Sequence, residues 1–263
     1  MYLSNVKNIN IKKLNYLQMN ILKIKIGVFA MLLFGLASSG NAQIHHPTPL
    51  SGKTLTQDFL QQNQHYPENA MREGKGGKVV VAFDVDEKGE GSDYRVVESF
   101  DEEASADALD LVRKILWQPA SKDMKPVADH IEYEVEYNAK AYRRYWKKHE
   151  RVALPLALEA DSSYQVFDTH GLEETAKPYF ADGTTMAHYI MTNLKYPESA
   201  KAAEVSGTVR LSFVVETDGA VSNIIVEQSV GGGCDNEAIR LLQQTRWIPA
   251  VRNGLYVRSH NRQ

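Results

Sequence analysis

Residues 196–250 read YPESAKAAEVSGTVRLSFVVETDGAVSNIIVEQSVGGGCDNEAIRLLQQTRWIPA, and they restate residues 66–120, YPENAMREGKGGKVVVAFDVDEKGEGSDYRVVESFDEEASADALDLVRKILWQPA. At a constant offset of 130 residues, 17 of the 55 positions are identical. Tyr66-Pro67-Glu68 returns as Tyr196-Pro197-Glu198, Phe83 as Phe213, Gly89 as Gly219, and Trp117-x-Pro119-Ala120 as Trp247-x-Pro249-Ala250. The period far exceeds the roughly 20–50 residues of a solenoid unit. The chain is therefore read as two tandem domains.

Working outward from this stretch, each copy shows the same change of period. Phe59 and Leu60, like Tyr189 and Ile190, belong to a short helical pattern leading into the Tyr-Pro, where proline disfavours helix at the residue before it. Val79, Val81, Phe83 and Val85 then alternate along one strand face, as do Val209, Leu211, Phe213 and Val215. Turns at Asp86–Gly89 and Thr217–Gly219 connect to second strands, Ser92–Ser99 and Ser222–Ser229, giving two β-hairpins. Ala108, Leu111, Val112 and Ile115, matched by Ala238, Leu241, Leu242 and Thr245, form a helix stripe. Ser105 and Asp235 are the expected N-caps, and the Trp-x-Pro is expected to end the helix. A last strand follows at Ile131–Tyr137, and a shorter one from Leu255 onward. The predicted fold class is α+β: two tandem small domains, each a roughly three-stranded antiparallel sheet with two helices on one face.

Composition excludes several functions. With 43 % hydrophobic and 24 % charged residues and a formal net charge of −3, the chain is an ordinary globular sequence, and nucleic acid is not an expected partner. One cysteine, Cys234, rules out an intramolecular disulfide. Lys23 and Lys25, the apolar run Ile26–Leu36 and the small residues ending Gly40-Asn41-Ala42 have the order of a secretory signal. The run is shorter than the roughly 20 residues that span a bilayer, so cleavage after Ala42 is expected, with an uncleaved inner-membrane anchor as the competing reading. Met19 would start a signal of ordinary length.

The second copy resembles the C-terminal domain of TonB-type energy transducers. Tyr196-Pro197-Glu198, Gly207-Thr208-Val209, Phe213, Asp218-Gly219, Gly232-Gly233-Cys234, Ala238 and Trp247-Ile248-Pro249 follow that family's pattern in order. The first copy is more divergent, with Asp101–Ala104 in place of Gly231–Cys234, and resembles the family through its fit to the second. The resemblance implies a periplasmic module that takes an extended segment of a TonB-dependent outer-membrane receptor, or of another envelope protein, by strand addition. The edge it implies is the last strand of each domain: Leu255, Tyr256, Val257, Arg258, Ser259 and His260 in the second copy, and Ile131, Tyr133, Val135 and Tyr137 in the first. If one copy binds, the second is expected to be it, and its short final strand invites completion by a partner.

The family's force-transmitting members carry a long proline-rich spacer, whereas this chain has 9 prolines and no such run. The tether 43–55 reaches only about 50 Å when fully extended. A docking module without an engine is expected; a membrane-anchored energy transducer for transport across the outer membrane is the alternative, and an envelope structural protein contacting cell wall or membrane a further one. The resulting organisation is an N-terminal extension and signal (1–42), a tether (43–55), a divergent domain (56–138), a basic-aromatic and irregular linker (139–185) and a second domain (186–263).

Other motifs read more simply. Asp84-x-Asp86 with Gly89 imitates a calcium loop, but Arg95 stands where position 12 requires Glu, so a hairpin turn is the reading. His45 and His46 are two ligands in a tail, too few for a site. Cys234 is read as a half-buried packing residue. Tyr142, Tyr145 and Trp146, interleaved with basic residues 140–151, are expected to pack on the first domain. No phosphate loop, nucleophile elbow or His–Glu metal helix occurs; the protein is not expected to be an enzyme or to need a cofactor or metal.

Overall fold

The computed structural model describes residues 44–147, 149 and 152–263. The N-terminal segment read as a signal lies outside the described residues. From Ile44 the chain forms β1 (Ile44–His45) and β2 (Thr48–Pro49), then helices α1 (Gly52–Asn63) and α2 (Glu68–Glu73). Pro67 sits at the N-cap of α2 and separates the two helices. The hairpin β3 (Gly77–Val85) and β4 (Gly91–Glu98) follows, then α3 (Glu102–Arg113), β5 (Trp117–Gln118), β6 (Ala120–Lys122), β7 (Lys125–Val127) and β8 (Asp129–Tyr137). The linker contributes α4 (Ala139–Trp146), β9 (Val166–Phe167) and β10 (Lys177–Tyr179). The second copy contains α5 (Met186–Asn193), α6 (Glu198–Ala202), β11 (Arg210–Val215), β12 (Val221–Gln228), α7 (Cys234–Gln243), β13 (Arg246–Ile248), β14 (Ala250–Arg252) and β15 (Leu255–Arg262).

The first copy's main sheet has the order β4-β3-β8, antiparallel throughout. The second runs β12-β11-β15-β14, with β9 added parallel to β15. The predicted strand faces are core faces: Val79, Val81, Phe83 and Val85 are fully buried beneath Ala108, Leu111 and Val112 of α3. Phe213 and Trp247 meet at a tilt, 5.1 Å between ring centres, in the second core, the same separation as Phe83 and Trp117 in the first. The helices pack against small antiparallel sheets, the α+β arrangement expected from the sequence.

Three local expectations are corrected. Asp101, not Ser105, caps α3: its carboxylate accepts the Ala104 N–H at 3.1 Å, so the helix starts earlier, and Ser105 instead bonds back to the Asp101 carbonyl at 2.9 Å. In the second copy Gly233 holds the N-cap position, while Asp235 lies in the first turn and accepts from Ser229 Oγ and Val230 N–H. Trp-x-Pro does not end the helix; Trp117 and Trp247 lie in strands that pair with β2 and β10. These flanking strands hold the segment just before each copy against its own Trp strand.

The two copies belong to one compact unit, Ile44–Gln263. Leu55 of α1 packs against the second core. At the end of α3 the Lys114 carbonyl accepts hydrogen bonds from Asn223 Nδ2 (2.9 Å) and Arg258 Nη2 (2.6 Å) of the second copy. Arg258 also forms a two-bond ion pair with the fully buried Glu216, at 2.7 and 2.9 Å, and donates to the Tyr164 carbonyl at 2.6 Å. Ser222 Oγ donates to the same carboxylate. Every strong donor and acceptor in this buried cluster is thus partnered, the condition under which a buried charge is tolerated.

Candidate peptide-docking edges and groove

Strand β8 pairs with β3 over nine residues, from Gly77 opposite Tyr137 to Val85 opposite Asp129. Among the described residues no strand pairs with its other edge. The side chains of Ile131, Tyr133, Val135 and Tyr137 all turn to the core, the last two fully buried. What β8 offers a partner is therefore main chain, with Glu132, Glu134 and Glu136 facing out. A cleft of ≈ 750 Å³ lies beside it, lined by Lys53, Gln57, Gln61, Tyr133, Glu134 and Glu136 among others. Gln64 Nε2 already donates to the Glu136 carbonyl at 2.7 Å.

The residues Leu255–His260 have a different setting. Leu255–Val257 pair with β14, Arg258–Ser259 with β9, and Ser259–Arg262 with β11. Tyr256, Val257, Arg258 and Ser259 are buried, and His260 is exposed. Glu159 and Asp161 also bond to the main chain of Tyr256, both at 2.8 Å, so a peptide reaching this edge has to displace that stretch and β9.

A third feature lies at the short final strand of the second copy. In the register of the first copy advanced by 130, β15 pairs with β11 from Ser259 opposite Val215 to Arg262 opposite Ser212. Leu211 and Gln263 add reciprocal main-chain bonds, both 2.9 Å. Beyond them, Gly207–Arg210, the counterparts of Gly77–Val80, have no strand of the described chain on this side, and Gly207–Val209 are not in a strand. Beside them opens an apolar groove of ≈ 270 Å³, lined by Ile190, Leu194, Tyr196, Val209, Leu211 and Ala238 among others. Its one charged group is Glu237, whose carboxylate accepts the Lys195 N–H at 2.6 Å and two bonds from Arg240. The hydrogen bonds from Arg240 hold the Glu237 carboxyl below the usual carboxylate range.

The remaining singled-out residues have ordinary settings. Asp86 Oδ1 accepts the N–H groups of Lys88 and Glu90, a turn stabilised by its own side chain. His45 lies in β1, whereas His46 pairs with Asp129 at 2.7 Å. Cys234 is half-buried and opens α7 beside the groove. Tyr142 of α4 packs on Tyr66 at 5.2 Å, so the aromatic linker lies on the first core. Among the described residues, no three His, Cys, Asp or Glu cluster as for a metal, and no helix is long and apolar enough to cross a membrane.

Residues 62–139 and 192–261, together more than half of the chain, match the model of the family described as Gram-negative bacterial TonB protein C-terminal. Among solved structures, the chain is similar to the NMR solution structure of Helicobacter pylori TonB-CTD (residues 194–285), with 24% identity, 32% of this chain and 89% of that chain covered, and a TM-score of 0.25. The longer form of the same domain (residues 179–285) gives 22% identity, coverage of 32% and 77%, and a TM-score of 0.24. A search of curated proteins finds no match.

Proposed function

The chain belongs to the TonB C-terminal family, in two copies, and from that premise we propose that it is a non-catalytic protein-binding protein of the periplasm. It holds extended segments of TonB-dependent outer-membrane receptors, or of another envelope protein, by strand addition. The observation that carries this reading is β8: a nine-residue strand that, among the described residues, has a neighbouring strand on one side only and a cleft along the other. Added strands gain main-chain hydrogen bonds from such an edge and selectivity from the pockets beside it. Leu255–His260 serve as a second docking edge once Glu159–Asp161 and β9 both give way. The N-terminal signal delivers the protein across the inner membrane.

Hydrogen exchange with a peptide copied from a receptor's periplasm-facing extended segment tests this. The expected result is slower exchange along 131–137, and unchanged exchange there and along 255–260 overturns it. Replacing Gln64 with Ala removes the competitor for the Glu136 carbonyl and is expected to strengthen binding at β8.

A further inference from the structure

The linker does more to the second copy than join it to the first. Residues 158–167 lie outside both segments that match the family, 62–139 and 192–261, yet they run along the outer edge of β15. The Tyr256 N–H donates to the Glu159 carbonyl and the Asp161 N–H to the Tyr256 carbonyl, both at 2.8 Å. Two residues further along β15, β9 pairs in parallel, with Val166 opposite Arg258 and Phe167 opposite Ser259. The counterparts of Tyr256–Ser259 in the first copy are residues 126–129, and among the described residues no strand pairs with their outer edge. The neighbouring contact obeys the repeat: Glu174 pairs with Val251 much as Ile44 and His45 pair with Lys122 and Ser121. The stretch 158–167 has no such counterpart among the described residues.

Pairing this short, and parallel, is slightly weaker per residue than antiparallel pairing, so side chains have to hold it. Tyr164 anchors it at three points. Its carbonyl accepts from Arg258 Nη1 at 2.6 Å, its hydroxyl donates to Asp110 of α3 at 2.8 Å, and the Arg113 guanidinium lies 5.5 Å from its ring centre. Phe167 adds a second grip, with the Arg252 guanidinium 4.4 Å from its ring centre. Tyr164 also has a φ of +60°, a left-handed backbone that a bulky aromatic residue rarely adopts and that its surroundings have to impose. The strain thus sits where linker, first copy and second copy meet. We propose that residues 158–167 are an intramolecular strap, latched by Tyr164, that keeps the second copy's edge closed. The resting chain then docks its partner through β8 alone, and the second edge takes an extended segment of a partner polypeptide after the latch opens.

The strap rests on the strand-addition reading for its purpose, but its test uses no receptor peptide, so the two fail separately. Hydrogen exchange is followed on the full chain and two variants. Tyr164→Phe removes only the hydroxyl, and exchange of the Tyr256 and Asp161 amides is expected to quicken about five-fold, with the Phe213 and Val214 amides of β11 unchanged. Tyr164→Ala removes the ring as well, and about thirty-fold is expected. The probe is a synthetic peptide of the strap itself, residues 158–167, Leu-Glu-Ala-Asp-Ser-Ser-Tyr-Gln-Val-Phe. In Tyr164→Ala it is expected to slow the Tyr256 amide again, while in the parent chain that amide stays as it was. Tyr256 exchange as slow in both variants as in the parent overturns the latch. A saturating probe that leaves Tyr256 unprotected in the opened variant overturns the receptive edge, and added protection of Tyr256 in the parent overturns its closure. Where Tyr164→Ala loosens β11 as well, the same readings on Tyr164→Phe decide. Loss of receptor-peptide binding at β8 with the strap behaving as expected removes the receptor reading and keeps the strap.

Discussion

Tyr137 shows how much one side chain does in the first copy. Its ring meets Tyr66 edge-on at 5.8 Å, and its hydroxyl donates to Asp107 and to the Ala104 carbonyl. Tyr137→Phe keeps the ring and leaves those acceptors unmatched, so a loss of about 1 kcal/mol is expected from the denaturant midpoint. Burial raises the phenol's pKa above its ordinary value of 10.0, and the Asp107 charge adds to the rise. A raised folded-state pKa means that the native state holds this proton more tightly than the unfolded one. The contribution is thus complete below pH 10 and is lost as pH rises beyond it. Thermal unfolding between pH 9 and 11 is expected to show a shallower decline for Tyr137→Phe than for the parent. The alternation Ile131, Tyr133, Val135, Tyr137 made the inward face legible in the sequence. The partner on α3 was not, because no local pattern says which helix turn a phenol will meet.

Among the elements, the hairpin turn is the most tightly specified. Gly89 and Gly219 have φ of +88° and +76°, and a Cβ at either would overlap the carbonyl oxygen of Trp117 or Trp247. Gly219→Ala is expected to cost about 1–3 kcal/mol through both conformation and crowding, and Gly89→Ala a similar amount; paired urea curves check this. A cost at one turn and none at the other would contradict the shared geometry. The hairpins, the helix stripes and the strand faces were readable because period and turn chemistry are local. The helix starts were misplaced because Asp101 offers a better cap one turn ahead of Ser105, and because Gly231–Gly233, all at positive φ, provide an N-terminus without a side-chain cap. The lining of the groove was not legible, because Ile190, Leu194, Val209 and Ala238 meet only through contacts between distant elements.

Across the whole molecule, the link between the copies is a buried polar cluster, not an apolar seam alone. Removing one member leaves a charge without its partner, the costly case for a buried pair. Arg258→Met is expected to destabilise by about 3–5 kcal/mol, whereas adding Glu216→Leu to it is expected to recover much of that loss; a denaturation double-mutant cycle measures both. Arg258 was read from the sequence as a peptide-facing edge residue, and the structure places it 3 % exposed between the copies. Nothing local marks that role: Asn223, which bonds across to Lys114 and Leu116, is separated from them by more than a hundred residues and takes a left-handed φ of 50°, which asparagine adopts more readily than most residues. The same cluster bears on the chain's history. The guanidinium and the amide of one repeat rely on a carbonyl of the other, so losing either gene segment leaves buried hydrogen-bonding groups of the survivor without their partner. The duplication has thereby become more than a pair of beads on a string: each half contributes polar groups that the other's interior satisfies.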